Sequence, residues 1–212
     1  NIMGTLKVDN LQKRDGTALI TDGVAQTGLL TETALINAGV KEIKIATASA
    51  SSSSEVAFDN TVFTSTYKSY LIRINDFVLS TNADFRFADS PDNGSTFSFT
   101  SYQGNYYAKM GAAASGGSGG TNSNTHSFQG FNHDASGTVK SNFLELHLPY
   151  FTQAQTNKLY YATYMHQNNN GSPYITNYGF ESSLTTAQNY IKFFGASGNI
   201  TKGEFTVYGV VE

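Results

Sequence analysis

The sequence predicts an all-β protein: an antiparallel, jelly-roll-like β-sandwich preceded by a small extended N-terminal assembly segment. Three observations carry this expectation. Short runs alternate apolar and polar residues with period two, as strands with one buried face do. Clusters of Gly, Pro, Asn, Asp and Ser interrupt those runs at the spacing of a sandwich or barrel, and no parallel strand–helix alternation is present. Aromatic residues reach 13%, with 15 Phe and 13 Tyr, while charged residues are only 14%, against about 25% in an average soluble domain.

The first 41 residues differ from the rest. Strand-like stretches at 5–8 and 17–20 flank a turn at Arg14-Asp15-Gly16, and Thr31 is placed to cap a short helix that stops at Gly39. A segment of this size rarely closes a core alone. Leu6, Val8, Leu11, Leu19 and Ile20 are therefore expected to be buried between sister copies, three of them around a threefold axis. The boundary falls near residue 41, giving an N-terminal docking and oligomerisation segment over 1–41 and a sandwich domain over 42–212. The start, Asn1-Ile2-Met3-Gly4, has no initiator Met and no charged-then-apolar secretory signal, so a fragment or processed form is expected.

Residues 42–48 alternate and read as a strand, and the Ser run at 51–54 reads as a flexible turn. Strands are expected over 55–58, 69–74, 83–88, 95–102, 126–131, 141–149, 158–166, 173–180, 189–194 and 204–211. The clearest alternation places Leu144, Leu146 and Leu148 on one face and Glu145 and His147 on the other, and Arg73 and Arg86 likewise turn away from apolar neighbours. Residues 89–95 read as a hairpin loop, with Asn93-Gly94 supplying positive φ, and 168–172 read the same way. The stretch 111–125 is low in complexity and reads as a mobile loop.

Several function classes are excluded or disfavoured. With no cysteine there is no disulfide, thiol nucleophile or Cys-ligated metal. A net charge of -3 without a basic stripe argues against nucleic acid. No apolar run approaches the roughly 20 residues of a membrane helix, so no membrane insertion is expected. No nucleophile elbow, phosphate loop, zinc-protease helix or dinucleotide fingerprint occurs, and no cofactor is expected. Glu145 and His147 share a strand face and could share a metal or a proton, but a solvated sheet face explains them more simply. Asp84, Asp89, Asp92, Glu145 and Glu181 could supply a glycosidase pair, yet nothing in the sequence pairs them. Asp89, Asp92 and Asn93 lack the calcium-loop pattern, and turn chemistry accounts for them.

Binding is the stronger reading. Tyrosine offers a flat ring for the apolar face of a sugar and a polar tip for its hydroxyls. The candidate glycan-binding residues are Tyr102, Gln103, Tyr106, Tyr107, Asn169 and Tyr174. Half the tyrosines of the strands must face the core by alternation, so only some can serve.

The opening 4–20, Gly-Thr-Leu-Lys-Val-Asp-Asn-Leu-Gln-Lys-Arg-Asp-Gly-Thr-Ala-Leu-Ile, resembles a segment common in tail-fibre and other virion proteins of tailed bacteriophages, especially those of marine and cyanobacterial hosts. Phe58-Asp59-Asn60 with the following 63–72 resembles the first strands of small β-domains in such fibres. Ser90-Pro91-Asp92-Asn93-Gly94-Ser95-Thr96-Phe97 is similar to their recurrent hairpin, and 198–210 resembles their closing strands. The resemblance implies a non-enzymatic virion component, made in the host cytoplasm, with other tail or capsid proteins as partners. It implies a homotrimer whose N-terminal piece docks on the particle and whose outer β-domain recognises a host surface polysaccharide. A purely structural capsid fibre, decoration protein or tail adaptor is the alternative. The family supplies no invariant site, so no binding residue is carried over from it.

Overall fold

The computed structural model describes residues 41–109, 115–128, 142–167 and 173–211, together with three short strands nearer the N-terminus. The described residues are all-β, with no helix. Contacts divide the chain into two units, 1–41 and 42–212.

In the first unit β1 (Leu11–Gln12), β2 (Ala18–Thr21) and β3 (Val24–Ala25) form a three-stranded antiparallel sheet, with Leu11 opposite Ile20 and Ile20 opposite Ala25. Leu11, Leu19 and Ile20 thus lie on β1 and β2. Leu6, Val8 and the expected helix over 31–39 lie outside the described residues.

The second unit holds two antiparallel sheets. Its strands are β4 (Glu42–Ser53), β5 (Glu55–Phe58), β6 (Ser69–Leu79), β7 (Phe85–Ser90), β8 (Thr100–Lys109), β9 (Ser115–Ser123), β10 (His126–Phe128), β11 (Asn142–Leu148), β12 (Lys158–Gln167), β13 (Pro173–Ser182), β14 (Tyr190–Gly195) and β15 (Ile200–Val210). The large sheet runs β4-β15-β6-β11-β12-β13-β8-β9 and the small one β5-β14-β7-β10. The two orders match. β5, β14, β7 and β10 are the chain neighbours of β4, β15, β6 and β11, and they stand in the same sequence. The remaining four strands, β12-β13-β8-β9, extend the large sheet past this shared block.

The sheets meet in a sandwich-like arrangement through an aromatic core. Phe77 on β6 lies 4.5 Å from Phe85 on β7, and Phe205 on β15 lies 5.6 Å from Phe193 on β14. Phe180 on β13 meets Phe87 edge to face at 5.2 Å, and Tyr178 meets Phe128 the same way at 5.1 Å. Edge-to-face pairs set the positive rim of one ring on the negative face of the other, which adds to the hydrophobic gain. On β11, Leu144, Leu146 and Leu148 are fully buried, as their alternation requires.

Three expectations are corrected. The run 111–125 is not a loop throughout: β9 occupies 115–123 and pairs antiparallel with β8 along its length. The Ser run is not a turn either, since β4 continues through Ser53 opposite Ile200. Both are the edge strands of the large sheet. An edge needs a backbone ladder on one side only, so small polar residues suffice where no side chain has to fill a core. The turn at Asn93 and Gly94 has the expected positive φ, 56° and 82°. It is not a hairpin, however: β7 lies in the small sheet and β8 in the large one, and the expected strand over 95–102 starts only at Thr100.

Candidate ligand-binding groove

A groove of about 980 Å³ opens on the outward face of the large sheet, over β12, β13, β8 and β9. Its floor follows from strand register. His147 on β11 stands opposite Tyr161 on β12, Tyr161 opposite Gly179 on β13, Gly179 opposite Gly104 on β8, and Gly104 opposite Gly119 on β9. Three glycines thus follow one another across three adjacent strands. A Cβ built on Gly104 or Gly179 would meet nothing within 4 Å, and neither residue has a positive φ. Neither backbone conformation nor packing calls for glycine there. Glycine weakens a strand interior, and it commonly marks a place where another molecule approaches the backbone.

The next row forms one wall: Leu159, Glu181, Tyr102 and Thr121 stand opposite one another in turn. Thr163 and Asn177, hydrogen-bonded at 3.0 Å, stand opposite each other in the row beyond Tyr161 and Gly179, outside the groove lining. Five large hydrophobic side chains are exposed among the described residues, and four of them line this groove: Tyr102 at 51%, Tyr150 at 46%, Leu159 at 63% and Tyr161 at 52%. Exposed apolar groups gathered at one place mark a binding surface more than a scattered set does.

The Tyr161 ring is held from behind. It stacks on His147 with centroids 4.2 Å apart and planes 9° from parallel. His147 Nε2 lies 2.9 Å from Glu145 Oε1, and Glu145 Oε2 accepts from Arg73 Nε at 3.0 Å. Arg73 also pairs with Glu42 at 2.8 Å and lies over the Tyr208 ring. Partial burial would raise the Glu145 carboxyl, but the Arg73 and His147 hydrogen bonds outweigh it and hold the group below its usual range. The Glu145–His147 pair read from the sequence is therefore part of a side-chain chain that orients an aromatic ring. Among the described residues no cluster of metal-ligating side chains occurs.

Beside the groove Lys158 turns its ammonium inward, donating to the carbonyls of Tyr150 and Gln153. Burial, opposed by the charge of Asp89, lowers its pKa to about 8. Asp92 is satisfied locally by Ser90 Oγ, Thr96 N and Thr96 Oγ1, and these hydrogen bonds hold its carboxyl down at about 2. That is turn chemistry, with the acceptor oxygens already engaged.

Between the sheets lies a polar cluster that sequence reasoning missed. Asp89 Oδ1 lies 3.1 Å from His126 Nε2, and His126 Nδ1 lies 2.7 Å from Ser101 Oγ. Tyr160 donates its hydroxyl to Asp89 Oδ2 at 2.7 Å. Burial and the neighbouring Asp89 push the Tyr160 phenol well up, so it remains a donor. Asp, His and Ser here have the connectivity of a nucleophilic triad, but all three are 0% exposed, and a substrate carbonyl cannot reach Ser101 Oγ through this packing. The cluster joins the small sheet (Asp89, His126) to the large one (Ser101, Tyr160). A signal existed: Asp89 follows Phe85 and Phe87 at period two, so a strand two residues longer puts its carboxylate on the inward face.

Of the candidate glycan-binding residues, Tyr102 stands in the groove wall. Gln103 borders the groove, but its Oε1 accepts from Asn122 Nδ2 at 3.0 Å and Ser127 N at 3.1 Å. Tyr174 is on the opposite face of β13 from Gly179 and Glu181, stacked with His166 at 5.8 Å. Tyr106 and Tyr107 lie on β8, and their side chains, like all of Asn169, lie outside the described residues. Sequence reasoning passed over Leu159, Gly104 and Gly179. Their signal was a set of outward positions occupied by a large apolar residue or by none at all. Comparison of the chain with protein-family models, with curated proteins and with solved structures returned no match.

Proposed function

We propose that residues 42–212 form a non-enzymatic, jelly-roll-like glycan-recognition domain of a phage virion fibre, and that 1–41 attach it to the particle and hold it as a trimer. The observation that carries this reading is the groove: exposed Tyr102 and Tyr161 rings beside a glycine floor, with polar groups from Glu181, Asn157, Gln155 and Thr121 around it. Sugars are bound in this way, their CH faces on aromatic rings and their hydroxyls on planar polar side chains. The jelly-roll part is supported by the matched strand orders of the two sheets, in which a ribbon of paired strands is wound into two layers. The virion part is supported by the sequence resemblance at both ends of the chain. The protein works on the particle surface and meets a host surface polysaccharide there.

The test is binding of the full chain to immobilised bacterial surface polysaccharides, beside Tyr161→Ala and Tyr102→Ala. Loss of one stacked ring should weaken binding by about tenfold, from about 1.4 kcal/mol. A chain that enters particles but binds no glycan would leave the structural capsid or adaptor role in its place. Light scattering on the full chain and on a version lacking 1–41 tests the trimer: both monomeric would end that part of the proposal.

A further inference from the structure

The geometry points to a linear, uncharged polysaccharide lying across the strands along the glycine row, with one sugar ring stacked on the free face of Tyr161. This rests on the glycan reading above and names its ligand class.

The direction comes from the floor. The lining passes from Tyr161 on β12 to Gly179 on β13, Gly104 on β8 and Thr121 on β9, so the trough runs across the strands. From β12 to β9 it crosses three strand spacings, about 14 Å, room for about three sugar units end to end. Leu159, Glu181 and Tyr102 line it beside the glycines, and Tyr150, Gln155 and Asn157 border it beyond them. A trough that crosses several strands suits the inner units of a chain.

The stacking face comes from Tyr161. His147 covers the ring from the β11 side, nearly parallel at 4.2 Å. The opposite face looks toward β13, where Gly179 has no side chain and the space above it is open. Any larger residue at 179 would fill the place of the sugar. The Glu42–Arg73–Glu145–His147 chain keeps the ring upright, so little ordering remains to be done on binding.

The charge preference comes from the lining. Glu181 presents a carboxylate there, while Lys158, the lining cation, has its ammonium turned onto two backbone carbonyls. A uronate or sialate would bring a second negative charge beside Glu181 with no cation facing it.

Gly104→Val and Gly179→Val test this in the full chain. Both positions have open space and ordinary strand φ, and valine favours strands, so melting temperature should stay level or rise. The probes are neutral linear glucan, galactan and mannan oligomers of increasing length and their uronate counterparts. Expected are affinity that climbs to about three units and then levels, following the 14 Å trough, at least tenfold loss in either valine variant, and weaker uronate binding. Glycan binding that ignores both valines, ignores length or prefers uronates overturns the inference and leaves the glycan reading standing. No binding by the wild-type chain to any glycan overturns both.

Discussion

The inner and outer faces of β12 use the same residue types for opposite ends. Inward, Tyr160 and Tyr164 are sealed in the core and Lys158 is buried with them. Burial pushes both phenols well up, so both stay neutral. Outward, one position along the chain, Leu159 and Tyr161 are more than half exposed, and the positions in line with Tyr161 on β13 and β8 are glycines. Folding gains from every ring on the inner face. It gains little from the outer one, where apolar surface stays in water and strand-weakening glycines persist. A face kept in that condition serves something outside the chain.

Substitutions on the two faces should therefore separate stability from binding. The largest effect belongs inside. Asp89→Ala leaves His126 and Tyr160 without their shared acceptor and should cost about 3–5 kcal/mol in urea unfolding; a loss under 1 kcal/mol would mean the cluster does not tie the sheets together. Tyr160→Phe removes one donor to the carboxylate and should cost about 1.5–3 kcal/mol by the same measurement. On the outer face Tyr161→Ala should cost only about 0.5–1.5 kcal/mol, the loss of its stacking on His147, while glycan affinity drops. An equal penalty inside and outside would erase the contrast.

The smallest effect is one of pH. Lys158 titrates at about 8 in the fold and 10.5 in its ordinary state. Between those values the unfolded chain holds the extra proton, so this lysine's contribution to stability rises as pH climbs through that window. Below it, folding carries the full penalty of a buried ammonium. Lys158→Met should flatten this rise in a series of unfolding curves from pH 7 to about 10.5.

The legible parts of the fold were those with a buried face. β11 and β12 could be read nearly to the residue because Leu144, Leu146 and Leu148, then Tyr160, Ala162 and Tyr164, repeat at period two. β9 and the Ser end of β4 could not, because an edge strand of small residues is specified by its neighbour's backbone and leaves no hydrophobic trace. The site was half legible for the same reason. Tyr102 announces itself as a ring, but a groove is made equally of what is missing, and Gly104 and Gly179 gain meaning only when register sets them side by side. Asp89 was hidden because the expected hairpin loop starts at it, whereas β7 runs on through Ser90 and turns its carboxylate inward.

The pairing of β4 with β15 sets when this domain can be finished. Glu42 opens the second unit and stands opposite Val210, and Ser53 stands opposite Ile200. During synthesis the first strand of the domain must wait, its ladder unmade, until β15 has left the ribosome. Closing so long a loop is slow, and topologies of this kind fold in milliseconds to seconds. The Ala- and Ser-rich composition of β4 then has a second use: a strand that waits exposed is safer when it offers strangers little to stick to.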